Sequence, residues 1–149
     1  MKLSSHFSLA EMTRSQTASR MGIDNTPDDD QLQCLTELCI SILEPVREEF
    51  GALTPSSAFR CAQLSEAIGS SSKSQHCQGR AADFEVMGVD NFELASWIKD
   101  NLSFDQLILE FYKDEDPNSG WVHCSYVSED ENRQEILRYD GKAYHRGLQ

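Results

Sequence analysis

DQLILEFYKDEDPNSGWVHCSYV, residues Asp105–Val127, is the stretch whose reading decides the fold. Two apolar runs, Asp105–Tyr112 and Trp121–Val127, flank KDEDPNSG, a segment made of turn residues. The pair reads as an antiparallel hairpin with a long loop. Alternation along the second run puts Trp121, His123 and Ser125 on one face and Val122, Cys124 and Tyr126 on the other. With Lys113–Gly120 as the loop, Tyr112 faces Trp121 and Glu110 falls opposite His123. Opposed residues share a face, with Cβ atoms about 4.5–5.5 Å apart, and a slip of two residues would keep both on that face. Leu107, Leu109 and Phe111 form the other side, which reads as core. A carboxylate within LILEFY is costly to bury unless something pairs with it. A cation beside His123 would do so.

Outward from the hairpin, Ala81–Met87 (AADFEVM) reads as a strand. Asp90 and Glu93 cap a helix through Leu102 that buries Phe92, Ala95, Ile98 and Leu102. Ile136–Tyr139 reads as an edge strand before a polar tail from about residue 140. The N-terminal half is helical. Ser8 and Glu11 fit a capping box, with Phe7 and Met12 as its hydrophobic staple. Thr26 and Pro27 start a long helix whose Leu32, Leu35, Cys39, Ile42, Val46 and Phe50 recur at steps of three and four. Pro45 should kink that helix and Gly51 end it. Leu53–Arg60 (LTPSSAFR) reads as a short strand, Ala62–Ile68 as a small helix closed by Gly69, and Ser70–Gly79 as a polar loop. Helices first and mixed strands after predict an α+β fold, a small, mostly antiparallel sheet packed against helices. Without a repeat or linker, residues 1–149 form one domain, expected to be a monomer.

The 149 residues suit one domain, and 39% apolar with 26% charged residues predicts a packed core rather than disorder. The net charge of −12 argues against nucleic acid as a partner, because phosphate binding needs Lys and Arg. MKLSSHFSLAEMTRS lacks the apolar stretch of a secretory signal, and no run reaches the roughly 18–20 residues of a membrane span. No membrane partner is expected, and the protein is expected in the cytoplasm at synthesis. The five cysteines (Cys34, Cys39, Cys61, Cys77 and Cys124) are odd in number and form no CxxC pair, which predicts free thiols rather than a disulfide framework.

SQHCQGRAAD, Ser74–Asp83, holds a histidine and a carboxylate seven positions apart. On a helix that spacing leaves them roughly 10 Å apart, and on a strand it puts them on opposite faces. They meet only if the chain turns between them, which Gly79 permits. A polar loop running into a strand remains the simpler reading of those ten residues alone. His123 adds a third donor, unless it is a core histidine bonded to a neighbour. His6 and His145 lie near polar termini and read as surface residues. Together His76, Asp83 and His123 would form a three-ligand zinc site with an open position for water. Glu110 would stand beside it as a non-ligating general base.

The motifs resemble a known family. Ser74-x-His76-x-x-Gly79-x-Ala81-x-Asp83, followed by Gly120-Trp121-Val122-His123, is similar to the zinc D-Ala-D-Ala peptidases, of the superfamily that also holds lysostaphin-type enzymes and the hedgehog signalling domain. HFSLAEMTRS (His6–Ser15), NTP, LEPVR, the serine-rich segment ending in Arg60, and DQLILEF before GWVH resemble the short, phage-type members. The likeness runs from about residue 4 to residue 127. It implies zinc held by His76, Asp83 and His123, and a peptidoglycan stem peptide as substrate, cleaved by a carboxypeptidase or an endopeptidase. It implies that Arg60 faces the site, to bind a peptide carboxylate or steady an oxyanion, and that Ser74 and Gln75 orient substrate or the loop. Several branches place the general base three positions before the last histidine, where Gly120 stands here. Glu110 is the replacement from the hairpin argument, with Asp114, Glu115 and Asp116 as fallbacks. Cys77 adjoins a ligand but has no place in the pattern, and Cys124 should point into the core. A phage or prophage endolysin, reaching the wall on lysis or in a virion, fits this context. A non-catalytic zinc-fold module, as in hedgehog, is the alternative.

Overall fold

The computed structural model describes residues 1–149. Its N-terminal half follows the capping signals. Helix α1 (Leu9–Thr13) starts at Ser8, whose hydroxyl accepts from the Glu11 N–H while the Glu11 carboxylate accepts from the Ser8 N–H. Phe7 and Met12 beside it are both buried. Helix α2 (Gln16–Met21) follows, capped by Ser15. The long helix begins at Asp28, not Thr26: Asp28 and Gln31 make a reciprocal capping box, and the Thr26 hydroxyl donates to Asp24 instead.

That helix runs as α3 (Asp29–Leu38), a π turn (Cys39–Leu43) and α4 (Glu44–Phe50). Pro45 has no N–H to offer the carbonyl four residues back. The wider turn, in which the Glu44 N–H reaches the Cys39 carbonyl, absorbs this without a break. Leu35, Cys39, Ile42 and Val46 are completely buried, with Leu32 and Phe50 at the core margin. Fully burying each such side chain is worth about 1.5–3 kcal/mol, which makes this face the main anchor of the helical layer. Helix α5 (Ala62–Ala67) precedes the sheet, and α6 (Asn91–Asn101) starts at Asp90.

The sheet contains β1 (Ala81–Phe84), β2 (Gln106–Glu110), β3 (Trp121–Ser125), β4 (Glu135–Tyr139) and β5 (Tyr144–Arg146), in the order β1-β3-β2-β4-β5. All neighbours are antiparallel except β2 and β4. The fold is therefore α+β with a mostly antiparallel sheet. One sheet face (Ala82, Phe84, Leu107, Leu109, Val122 and Cys124) joins the helices in one core. The other face carries the polar residues described below.

Four expectations need correction. The hairpin register is shifted by two, so Glu110 pairs with Trp121, and Ile108 pairs with His123. The cause is Phe111, whose φ of 57° turns the chain out of the pleat and leaves its ring exposed rather than in the core. Residues 53–60 form no strand; Pro55 lacks a donor, and only an isolated bridge joins Ser57 to Asp83. The long helix starts two residues later than Thr26 predicts. Finally, β4 is not an edge and the tail is not free: β5 covers β4, and Leu148 is buried in the core.

Candidate metal centre

Asp83 is fixed from both sides. Across β1 it is opposed by His123 in β3, and on its other edge its N–H donates to the Ser57 carbonyl at 2.8 Å. Its side chain shares the polar face with His123, and Asp83 Oδ1 lies 2.9 Å from His123 Nδ1. His76 arrives from a different element, a 3-10 turn at Gln75–Gln78. Ser74 caps that turn, and Gly79 ends it with φ 75°. A Cβ at Gly79 would come within 2.5 Å of the Gln31 carbonyl oxygen, so glycine lets the turn lie directly on α3.

The His76 Nδ1–H donates to the Ala58 carbonyl at 2.7 Å, which leaves the Nε2 lone pair pointing inward, 3.4 Å from Asp83 Oδ2. A backbone partner on the far nitrogen is the usual way to orient a ligating histidine. One donor atom from each of His76, Asp83 and His123 lies within 4.8 Å of the other two. Two imidazole nitrogens and a carboxylate oxygen make a donor set that fits zinc. Burial opposes the charge on Asp83, but the neighbouring His123 and His76 outweigh it and hold its carboxyl below the usual carboxylate range.

These residues open on a cleft of about 570 Å³. Glu110 lines it, and its Oε2 accepts from the Trp121 indole N–H at 3.0 Å. Burial, then the charge of Asp83, push the Glu110 carboxyl up, partly offset by His123, Trp121 and Arg60. Gly120, where the family resemblance leads an acid to be expected, has φ 67°, and a Cβ there would lie 1.9 Å from the Glu110 carbonyl oxygen. The backbone therefore shuts a side chain out of that position, and Glu110 on the next strand faces the cleft.

Arg60 also lines the cleft, with its Nε buried and without a hydrogen-bond partner. Ser74 and Gln75 line it too, but the Gln75 amide is committed to Asp105 at 2.8 Å. Asp114, Glu115 and Asp116 are outside the cleft; Asp114 pairs instead with Arg138. Cys77 Sγ donates to the Ser71 carbonyl, and Cys124 is buried in the core, where burial pushes its thiol up. His6 pairs with Glu44 and His145 with Asp140, both away from the cleft.

The Peptidase M15 family profile matches residues 5–125. The chain belongs to the peptidase M15 family. No curated protein matches it. M15 membership gives the reaction class, metallopeptidase, and the His76–Asp83–His123 cluster falls inside the matched stretch and can hold a metal ion. Two residues of the cleft, Arg133 and Tyr144, come from beyond the match. Sequence reading missed both, because it took the segment after Val127 as an edge strand and a tail. No helix of this M15 chain is long and apolar enough to cross a membrane.

Proposed function

We propose that the protein is a zinc peptidase that hydrolyses peptide bonds in the stem peptides of bacterial peptidoglycan. The observation that carries this reading is the convergence of His76, Asp83 and His123 in a cleft that Glu110 and Arg60 also line. Bound zinc would supply Lewis acidity and make water a nucleophile at neutral pH. Glu110, buttressed by Trp121 and poised upward by burial, takes the proton of the attacking water and returns it to the leaving amine. Arg60 presents a guanidinium to the charge that develops on the carbonyl oxygen. Ser74 and Gln75 shape the turn that aims His76. The phage-type motifs from His6 to Ser15 support an endolysin role, with access to the wall on lysis.

The test is to measure bound zinc and the masses of products released from purified peptidoglycan. One equivalent of zinc and cleaved stem peptides are expected, with both lost in His76→Ala. Zinc without cleavage would leave the non-catalytic module instead. A protein that takes up no metal would sink both.

A further inference from the structure

The chain carries a net charge of −12, yet its cleft gathers Arg60, Lys73 and Arg133 against only two acids, Asp83 and Glu110. Both acids are engaged, Asp83 by two histidines and Glu110 by Trp121. The cleft is thus built for an anionic group. Among its cations Arg133 is the one held by a buried anchor. Asp105, only 2% exposed, accepts from Arg133 Nε at 3.0 Å, from Nη2 at 2.8 Å and from the Arg133 backbone N–H at 3.0 Å. The same carboxylate accepts from Gln75, on the turn that carries His76. Two edges of the guanidinium follow from this. One is fixed against Asp105. The other, at Nη1, makes no hydrogen bond and has only a long ion pair, 3.9 Å, with the Glu135 carboxylate, which accepts from Gln106. The side chain is 56% exposed and lines the cleft.

We propose that Arg133, held in place by Asp105, binds the free C-terminal carboxylate of the substrate peptide and so selects carboxypeptidase cleavage. A planar fork with one edge pre-set and the other free of hydrogen bonds suits carboxylate recognition, because the entropy of ordering the arginine is already spent on the fold. Arg133 lies past residue 125, so the M15 match does not assign it. The proposal rests on the peptidase reading and adds the specificity to it.

The test uses the zinc-loaded full chain and an N-acylated peptide ending in D-Ala-D-Ala, as free acid and as C-terminal amide. Wild type should prefer the free acid. Arg133→Gln should raise KM for the acid roughly 10- to 100-fold, the range for losing a hydrogen-bonded charge pair, and leave the amide unchanged. Arg133→Lys keeps a charge that can reach Asp105 but loses the fork, and should show the same selective rise, smaller in size. It also serves if Arg133→Gln fails to fold. Equal loss of kcat on acid and amide, or an unchanged preference in either variant, overturns the proposal in favour of a purely structural arginine. Release of opened cross-links from muropeptides without loss of terminal D-Ala overturns it too, while sparing the peptidase reading. A wild type inactive on both peptides and on peptidoglycan overturns the peptidase reading itself.

Discussion

Gly120→Ala isolates the contact that keeps a side chain out of that position. Gly120 has φ 67°, a region that charges an L-residue roughly 1–2 kcal/mol. The added Cβ would also meet the Glu110 carbonyl oxygen at 1.9 Å, the Phe111 carbonyl carbon at 2.7 Å and the Tyr112 nitrogen at 2.8 Å. All three are backbone atoms of the facing strand end, so no side chain can swing aside. Overpacking of this kind adds about 1–3 kcal/mol, for a total of about 2–5 kcal/mol. In a chain of this size each kcal/mol shifts Tm by about 2–4 °C, which predicts a drop of about 4–20 °C by far-UV circular dichroism. Gly22→Ala is the matched control, because Gly22 has the same φ of 67° with nothing within 4 Å of its Cβ. It should lose only the conformational part. If Gly120→Ala is no less stable than Gly22→Ala, the close approach of the two strands is refuted, and with it the reason for an acid on β2 rather than at position 120.

Glu110→Gln should keep bound metal and lower kcat by about 10²–10⁴, the usual contribution of a general base; loss of zinc instead would mean Glu110 is a ligand. Because burial raises the Glu110 pKa, its ionised form is disfavoured in the fold, so stability is lost as pH rises through the folded value. Glu110→Gln should therefore melt higher than wild type at pH 7, while the acid limb of the wild-type pH–rate profile lies above the ordinary glutamate range. For Asp105 the sign is opposite. Arg133, and then Gln75, hold its pKa down to about 2 against burial, which contributes about 2 kcal/mol above pH 4 that vanishes as pH falls toward 2. Asp105→Asn should flatten that part of the denaturation profile, and an unchanged acid limb would contradict the pairing. Chelation should abolish hydrolysis and leave the far-UV spectrum intact, since the 24-residue core holds the fold without the ion; global unfolding on chelation would show that the metal is a structural staple.

The face of each site residue was legible, and the register was not. Alternation in WVHCSYV put His123 on the polar side, and Gly79 made a turn between His76 and Asp83 feasible. LILEFY alternates as if the strand continued through Phe111. Nothing local announces that Phe111 turns to positive φ, so the loop is longer than KDEDPNSG and the pairing slides by two residues. The long helix read well because its apolar period is a local property. Thr26 misled because Asp28 competes for the same cap and has Gln31 in the right place to complete the box. The Arg133–Asp105 pair was invisible for a different reason. It depends on parallel pairing of β2 with β4 across a connection that carries no periodic signal of its own.

The tie between Asp105 and Arg133 spans 28 positions and has a consequence for how the protein assembles. Strands β2 and β3 are sequence neighbours and can zip as soon as both have emerged during synthesis. Parallel strand β4 can dock only afterwards, and until it does the Gln75 amide shares Asp105 with no arginine. In that interval the turn carrying His76 is held by the Ala58 carbonyl, the Gly79 contact and the Gln75–Asp105 bond. The metal donors, on β1, β3 and the 3-10 turn, therefore rest on contacts that do not involve β4, whereas the Arg133 side of the cleft exists only once β4 has docked.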